Sequence, residues 1–298
     1  MSESAPEFDH LIYERRGRVA TITLNRPDRF NAIARGMPRE IAAAVDHANY
    51  DHEAHVIVLQ GAGKGFCGGY DLTDFAERRS SNDPGAQAVD AQGQPWDPLV
   101  DFDMMFANTQ DFMSLWRSNK PTIAKVHGAA VAGGSDIALA CDMVVMAEDA
   151  RIGYPPARVW GCPTTAMWVY RLGPEKAKRM LLTGDLITGR QAVDMGLVLE
   201  AVSADQLDDR VEELAQRMTG VPRNQLMMQK MMINQAYANM GLETTQMVAT
   251  LMDGVARHSA EGMWFKKRAE DVGFKQAINE RDGGNPIAPG VSQNPYKF

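Results

Sequence analysis

The chain has 298 residues, 45% hydrophobic and 23% charged, a composition that supports one large globular unit with an appendage or two ordinary domains. A formal charge of −7 and a pI near 5.4 exclude a global basic field for nucleic acid or an anionic membrane, so an anionic ligand must be met by local Lys and Arg groups or by backbone N–H groups. The three cysteines, Cys67, Cys141 and Cys162, form no CxxC and have no His at ligand spacing, which speaks against a disulfide framework or metal site and for a reducing compartment.

The opening "MSESAPEFDH" is acidic and lacks the basic-then-apolar pattern of a secretory signal. "RVATITL" sets Ala20, Ile22 and Leu24 against Val19, Thr21 and Thr23, which predicts a strand ending at "NRP". Residues 36 to 50 predict a helix, with Gly36 and Pro38 at its start and Ile41, Ala44, Val45 and Ala48 on one face. "HVIVLQ" predicts a strand covered on both sides, and glycines follow at 61, 63, 65, 68 and 69. "TIAKV" predicts a further strand, after which "HGAAVAGGSDIALACD" passes from small residues into a helix and "MVVMA" into a strand. This alternation predicts an α/β architecture with loops and helix starts gathered at one end of the sheet. Ser135, Asp136 and Asp142 interrupt the apolar stretch from Val126 to Ala147, which predicts a buried segment, not a membrane span, in a cytoplasmic protein.

Beyond about residue 160 strand signals nearly vanish, and Leu207, Val211, Leu214 and Met218 predict a helix. The expected division is an α/β core over 1–202, a helical oligomerisation region over 203–282 and a tail over 283–298. Met227, Met228, Met231 and Met232 form a helical stripe suited to a core or a subunit interface. Residues 78–98 are rich in turn formers and are either a lid carrying Trp96 or a surface excursion.

Two glycine runs carry the chemistry. "GAGKGFCGGYDL" follows a strand but lacks the ending of a P-loop and the GxGxxG of a dinucleotide site, leaving a loop whose N–H groups face a developing oxyanion. "VAGGSDIAL" puts Gly133 and Gly134 at a helix start, where unpaired N–H groups and the macrodipole favour negative charge.

With "LNRPDRFNAI", "KPTIAKVHGAAVAGGSDIALACD", "DARIGYP" and "LTGDLITGRQAVDMGLV", these runs resemble the crotonase, or enoyl-CoA hydratase/isomerase, superfamily over roughly residues 8 to 282. The resemblance implies a spiral of ββα units followed by a helical trimerisation region, in a trimer or a dimer of trimers. It implies an enzyme on acyl-coenzyme A thioesters, with coenzyme A as part of the substrate and no permanently bound cofactor. The backbone N–H groups of Tyr70 and Gly133 would hold the enolate oxygen. Arg29, Phe30, Ala32, Lys64, Gly68 and Gly69 fall at positions that would contact the CoA ester, as do Asp71, Leu72, Gly134, Pro155 and Pro156. Arg26, Lys266, Lys267 and Arg268 are further candidates for the CoA phosphates.

Hydration needs one group to hold water and one to deliver a proton to the α-carbon, and family hydratases use two glutamates. The first position is Asp136, a carboxylate either for proton transfer or for the helix start. The second is Pro156, which has no side-chain donor or acceptor, so an ordinary two-glutamate hydratase is not expected. Another family position for an acid falls at Thr164, followed by Thr165. Tyr70, Tyr154, Arg158 and His127 are the other groups able to supply protons or hydrogen bonds, each with a packing role as the alternative, and Cys67 reads as a buried thiol. Hydratase-like chemistry is the leading reading, because the scaffold, both oxyanion loops and one carboxylate are present, with isomerisation, decarboxylation, thioester hydrolysis and silent acyl-CoA binding as alternatives.

Overall fold

The computed structural model describes residues 7–72 and 98–283; the 78–98 segment up to residue 97, with Trp96, and the tail from residue 284 lie outside the described residues. β1 (Leu11–Arg16) pairs antiparallel with β2 (Val19–Leu24). β2 then runs parallel to β3 (Val56–Gly61), which is followed in the sheet by β4 (Thr122–Val126), β6 (Met143–Ala147) and β9 (Glu200–Val202), all parallel. The unbroken apolar run of β3 has its reason here, since Val56, Ile57, Val58 and Leu59 are all buried, as a central parallel strand requires.

A second sheet joins β5 (Ala129–Val131), β7 (Arg151–Gly153) and β8 (Leu186–Thr188), with β5 parallel and β8 antiparallel to β7. Two isolated bridges, Cys67 with Ala130 and Ile33 with Tyr70, carry this sheet onward into the first glycine run. Both glycine runs are thus neighbours across one sheet. β8 and β9 correct the expectation that strands nearly vanish beyond residue 160. Each has three residues, too few to show an alternation.

The helix Met37–Tyr50 buries Ile41, Ala44, Val45 and Ala48, the face expected for it. The helix Leu207–Thr219 buries Leu207, Val211 and Ala215 against β2, β3, β4 and β6, so the first α-helix after residue 203 shares the main core. Two later helices behave differently. On Arg223–Asn239, Met228, Met231 and Met232 are 52%, 60% and 62% exposed, which removes the core role expected as one alternative for that stripe. The helix Leu242–His258 turns polar Gln246, Thr250 and Asp253 inward and leaves Met247, Val248, Leu251, Met252 and Val255 outside. Among the described residues no helix is long and apolar enough to cross a membrane.

Candidate functional site

The first glycine run is held from both sides. Cys67 N donates to Ala129 O and Cys67 O accepts from Val131 N, while Ile33 accepts from Asp71 N and donates to Gly69 O at 2.8 Å. Because Ile33 uses the groups of Gly69 and Asp71, the intervening N–H of Tyr70 points away from Ile33. Gly69 has φ 95°, and a Cβ there would lie 2.9 Å from Ala132 Cβ and 3.7 Å from Gly133 N. The Gly69–Tyr70 peptide and the start of the second run are therefore in contact.

In the second run, Ala132 caps the helix Gly133–Ala140 with φ 54° and ψ −126°, a conformation that costs an alanine about 1–3 kcal/mol. Its carbonyl accepts from Ser135 N and Asp136 N, and its own N–H donates to Gly153 O at 3.0 Å. Gly133 is the first residue of the helix, where an N–H has no acceptor within its own helix and the dipole favours negative charge. A Cβ on Gly133 would meet Ile33 Cδ1 at 2.7 Å and the Tyr70 ring at 2.9 Å, and one on Gly134 would meet Cys67 O at 2.3 Å. Only glycine at both positions lets the two runs approach this closely.

Asp136, in the first turn of that helix, is 2% exposed, and Thr165 Oγ1 donates to its Oδ1 at 2.6 Å. Burial pushes its carboxyl up to about 8, outweighing the hydroxyl, so the group is a carboxylic acid at neutral pH. Thr165 is held in turn by Gln246 Nε2, which donates to its carbonyl at 3.0 Å. The phenols of Tyr70 and Tyr154 are also pushed upward by burial and remain neutral; Asn108 Nδ2 donates to the first at 3.3 Å, and the second donates to Cys162 O at 2.9 Å.

The stretch "RIGYPPARVWGCP" forms the facing wall. Its Pro155–Arg158 segment is a 3-10 turn, with Pro155 buried and Pro156 where an acid was sought. Arg158 ties this wall to its surroundings, through Thr183 O at 2.8 Å and the carboxylates of Asp282 and Asp185. Thr164 is buried with its hydroxyl 2.6 Å from that of Thr109.

Of the residues expected at the CoA ester, Arg29, Phe30, Ala32 and Gly68 line one cavity of about 390 Å³ with Gly65, Ala129 and Val131. Lys64 is exposed on the loop that leads to it. Asp71 is buried and accepts from Arg26 Nη2 at 2.9 Å, so these two side chains brace the loop. Leu72 packs with Trp160 on a cluster that includes Val159, Phe265 and Phe274. Of the helix Ala260–Val272 behind it, Arg268 pairs with Glu280 at 2.8 Å, Lys266 pairs with Glu270 at 3.2 Å, and Lys267 is exposed. His127 Nε2 sits 2.9 Å from Gly63 O and fixes the first run. Cys67 donates to Asn31 O, and burial pushes its thiol up to about 12, which removes it as a nucleophile.

Sequence reasoning missed a buried charged group beside this wall. Asp253 Oδ1 accepts from Cys162 N at 2.9 Å, and Oδ2 is 3.0 Å from Arg257 Nη2. Arg257 Nε donates to Asp101 at 3.2 Å, and His258 Nε2 lies 2.8 Å from the same carboxylate oxygen. The readable signal was the polar stripe Gln246, Thr250, Asp253 at helical spacing.

A profile of the enoyl-CoA hydratase/isomerase family matches residues 14–271. A crystal structure of an enoyl-CoA hydratase from Mycobacterium smegmatis superimposes with a TM-score of 0.86 at 46% identity, covering 93% of this chain and 94% of the other. An enoyl-CoA hydratase/isomerase from Xanthobacter autotrophicus gives a TM-score of 0.81 at 31% identity, covering 94% and 100%. The 2,3-dehydroadipyl-CoA hydratase of Escherichia coli is 30% identical over 271 residues, 89% of this chain and 98% of that protein. With an α/β core, a helical C-terminal region and these matches along most of its length, the chain belongs to the enoyl-CoA hydratase/isomerase, or crotonase, superfamily.

Proposed function

We propose that the chain adds water to enoyl-CoA thioesters through an enolate whose oxygen lies between the N–H groups of Tyr70 and Gly133. The observation that carries this reading is the contact of the Gly69–Tyr70 peptide with a helix start at Gly133, one turn from a carboxyl held as a neutral acid. A thioester enolate concentrates charge on one oxygen, and each preorganised donor lowers the barrier by about 3 kcal/mol. The Asp136 carboxylic acid delivers a proton to the α-carbon as that charge collapses, and Thr165 holds it in orientation. Coenzyme A enters as part of the substrate, seated against Arg29, Phe30, Ala32 and Gly68, with the exposed Lys64 and Lys267 placed for phosphate. No permanently bound cofactor has a role in this chemistry.

The apolar faces of Arg223–Asn239 and Leu242–His258 support assembly as a homotrimer or a dimer of trimers, since patches of this kind mark interfaces. Pro156 supports a second reading in which one acid suffices, as in isomerisation, decarboxylation or thioester hydrolysis.

The test incubates the protein with enoyl-, acyl- and malonyl-type CoA thioesters and follows product mass, beside Asp136→Asn. Water gain that the variant abolishes supports hydration. Carbon dioxide loss, or turnover unchanged in Asp136→Asn, overturns it, and tight binding without turnover identifies a silent acyl-CoA binder.

A further inference from the structure

We propose that Asp253, carried by the helix Leu242–His258, supplies the second carboxyl group of this site in place of the acid absent at Pro156, and takes the proton of the attacking water. The inference rests on the hydration reading above.

Three observations support it. The first is position: the point where a Cβ on Gly161 would stand is 3.1 Å from Pro156 Cβ, 3.3 Å from Asp253 Oδ1 and 3.6 Å from the Tyr154 hydroxyl. The carboxylate from the distant helix therefore sits at the acid-free wall. Second, it belongs with Asp136, because both acids act electrostatically on the phenols of Tyr70 and Tyr154, and the charge of Asp253 helps to keep Asp136 protonated. The third is its unfilled capacity: Asp253 Oδ2 is buried and accepts no hydrogen bond among the described residues, its approach to Arg257 being an ion pair only. A buried carboxylate with open lone pairs is costly unless something else uses them.

The partners also separate the two roles. Asp136 has a hydroxyl donor and, among the described residues, no ion pair with a cation, whereas Asp253 has the Arg257 guanidinium at 3.0 Å and the Cys162 N–H at 2.9 Å. Burial and the neighbouring Asp101 raise Asp253, and Arg257 with the Cys162 N–H oppose them. Burial raises both carboxyls, and the ion pair with Arg257 favours the ionised, proton-accepting form of Asp253. In the step, an O–H bond of water breaks and its proton passes to Asp253 while the oxygen bonds the β-carbon. The π electrons move onto the thioester oxygen, and Asp136 then protonates the α-carbon. One water is added in total, and Asp253 returns its proton to Asp136 through solvent.

The test compares wild type with Asp253→Asn on an enoyl-CoA thioester, and on a saturated acyl-CoA in deuterium oxide, where α-proton exchange needs Asp136 and the oxyanion donors alone. The amide keeps the acceptor for Cys162 N. Expected is a loss of water addition by about 100-fold or more in kcat, with α-exchange and KM little changed. Water addition retained, or α-exchange lost in parallel, overturns the inference and leaves the hydration reading standing. No water addition by wild type overturns that reading and the inference with it. If Asp253→Asn does not fold, Arg257→Gln decides: removing the cation shifts the acid limb of the kcat profile to higher pH, and an unmoved limb overturns the role.

Discussion

Replacing Gly134 by alanine tests whether contact between the two glycine runs sets the oxyanion donors. The new Cβ would lie 2.3 Å from Cys67 O and 2.8 Å from Cys67 Cβ. Ordinary contact begins at 3.4 Å, so about 1.1 Å must be opened. Cys67 has little freedom to yield, because its carbonyl accepts from Val131 N at 3.0 Å and its N–H donates to Ala129 O at 2.9 Å. The start of the helix Gly133–Ala140 must move instead and carry the Gly133 N–H with it. A misplacement of about 1 Å costs roughly 100-fold in rate, and overpacking costs about 1–3 kcal/mol of stability. The variant should therefore fold with a Tm lower by several degrees, on the order of 2–4 °C per kcal/mol. Its kcat/KM on an enoyl-CoA thioester should fall far more than its stability implies. Gly220→Ala is the control, since its Cβ has its nearest neighbour at 3.6 Å. Wild-type kcat in Gly134→Ala would refute the assignment of Gly133 as a donor.

Two further outcomes follow from the same geometry. The Asp136 carboxyl is raised from 3.8 to about 8 by burial, so the folded chain binds a proton that the unfolded chain releases between those values. Stability is fully present below about pH 4 and is lost as pH rises through about 8. Asp136→Asn should accordingly raise Tm at pH 8, by an amount equivalent to ~2 kcal/mol or more, with no gain at pH 4, while wild-type activity in the proton-delivering step declines above pH 8. A Tm difference independent of pH would contradict this account of the buried acid. Separately, Met228→Glu with Met232→Glu places charge on a face that is 52% and 62% exposed at these positions in the single chain. Sedimentation velocity should show smaller species than wild type, and an unchanged sedimentation coefficient would remove this face from the interface.

The sequence made the central sheet legible because β2, β3, β4 and β6 combine β-branched runs with turn residues at their ends. The glycine runs were legible for a related reason, as close backbone approach leaves room for no side chain at Gly133 and Gly134. The second sheet was harder to read, since β5, β7 and β8 have three residues each and the bridges at Cys67 and Tyr70 are single pairs. Asp253 was missed for a different reason. Apolar periodicity points the Met247, Leu251 and Val255 face of its helix inward, whereas the chain buries Gln246, Thr250 and Asp253 and leaves the apolar face outside. A helix that buries its polar side and exposes its apolar side inverts the usual pattern.

The most direct test of the oxyanion assignment is the carbonyl carbon resonance of a carbon-13-labelled acyl-CoA bound to the protein. Two N–H donors on the thioester oxygen predict a downfield displacement on binding that disappears in Gly134→Ala while the ligand remains bound. A bound ligand whose carbonyl resonance matches that in free solution would contradict the account.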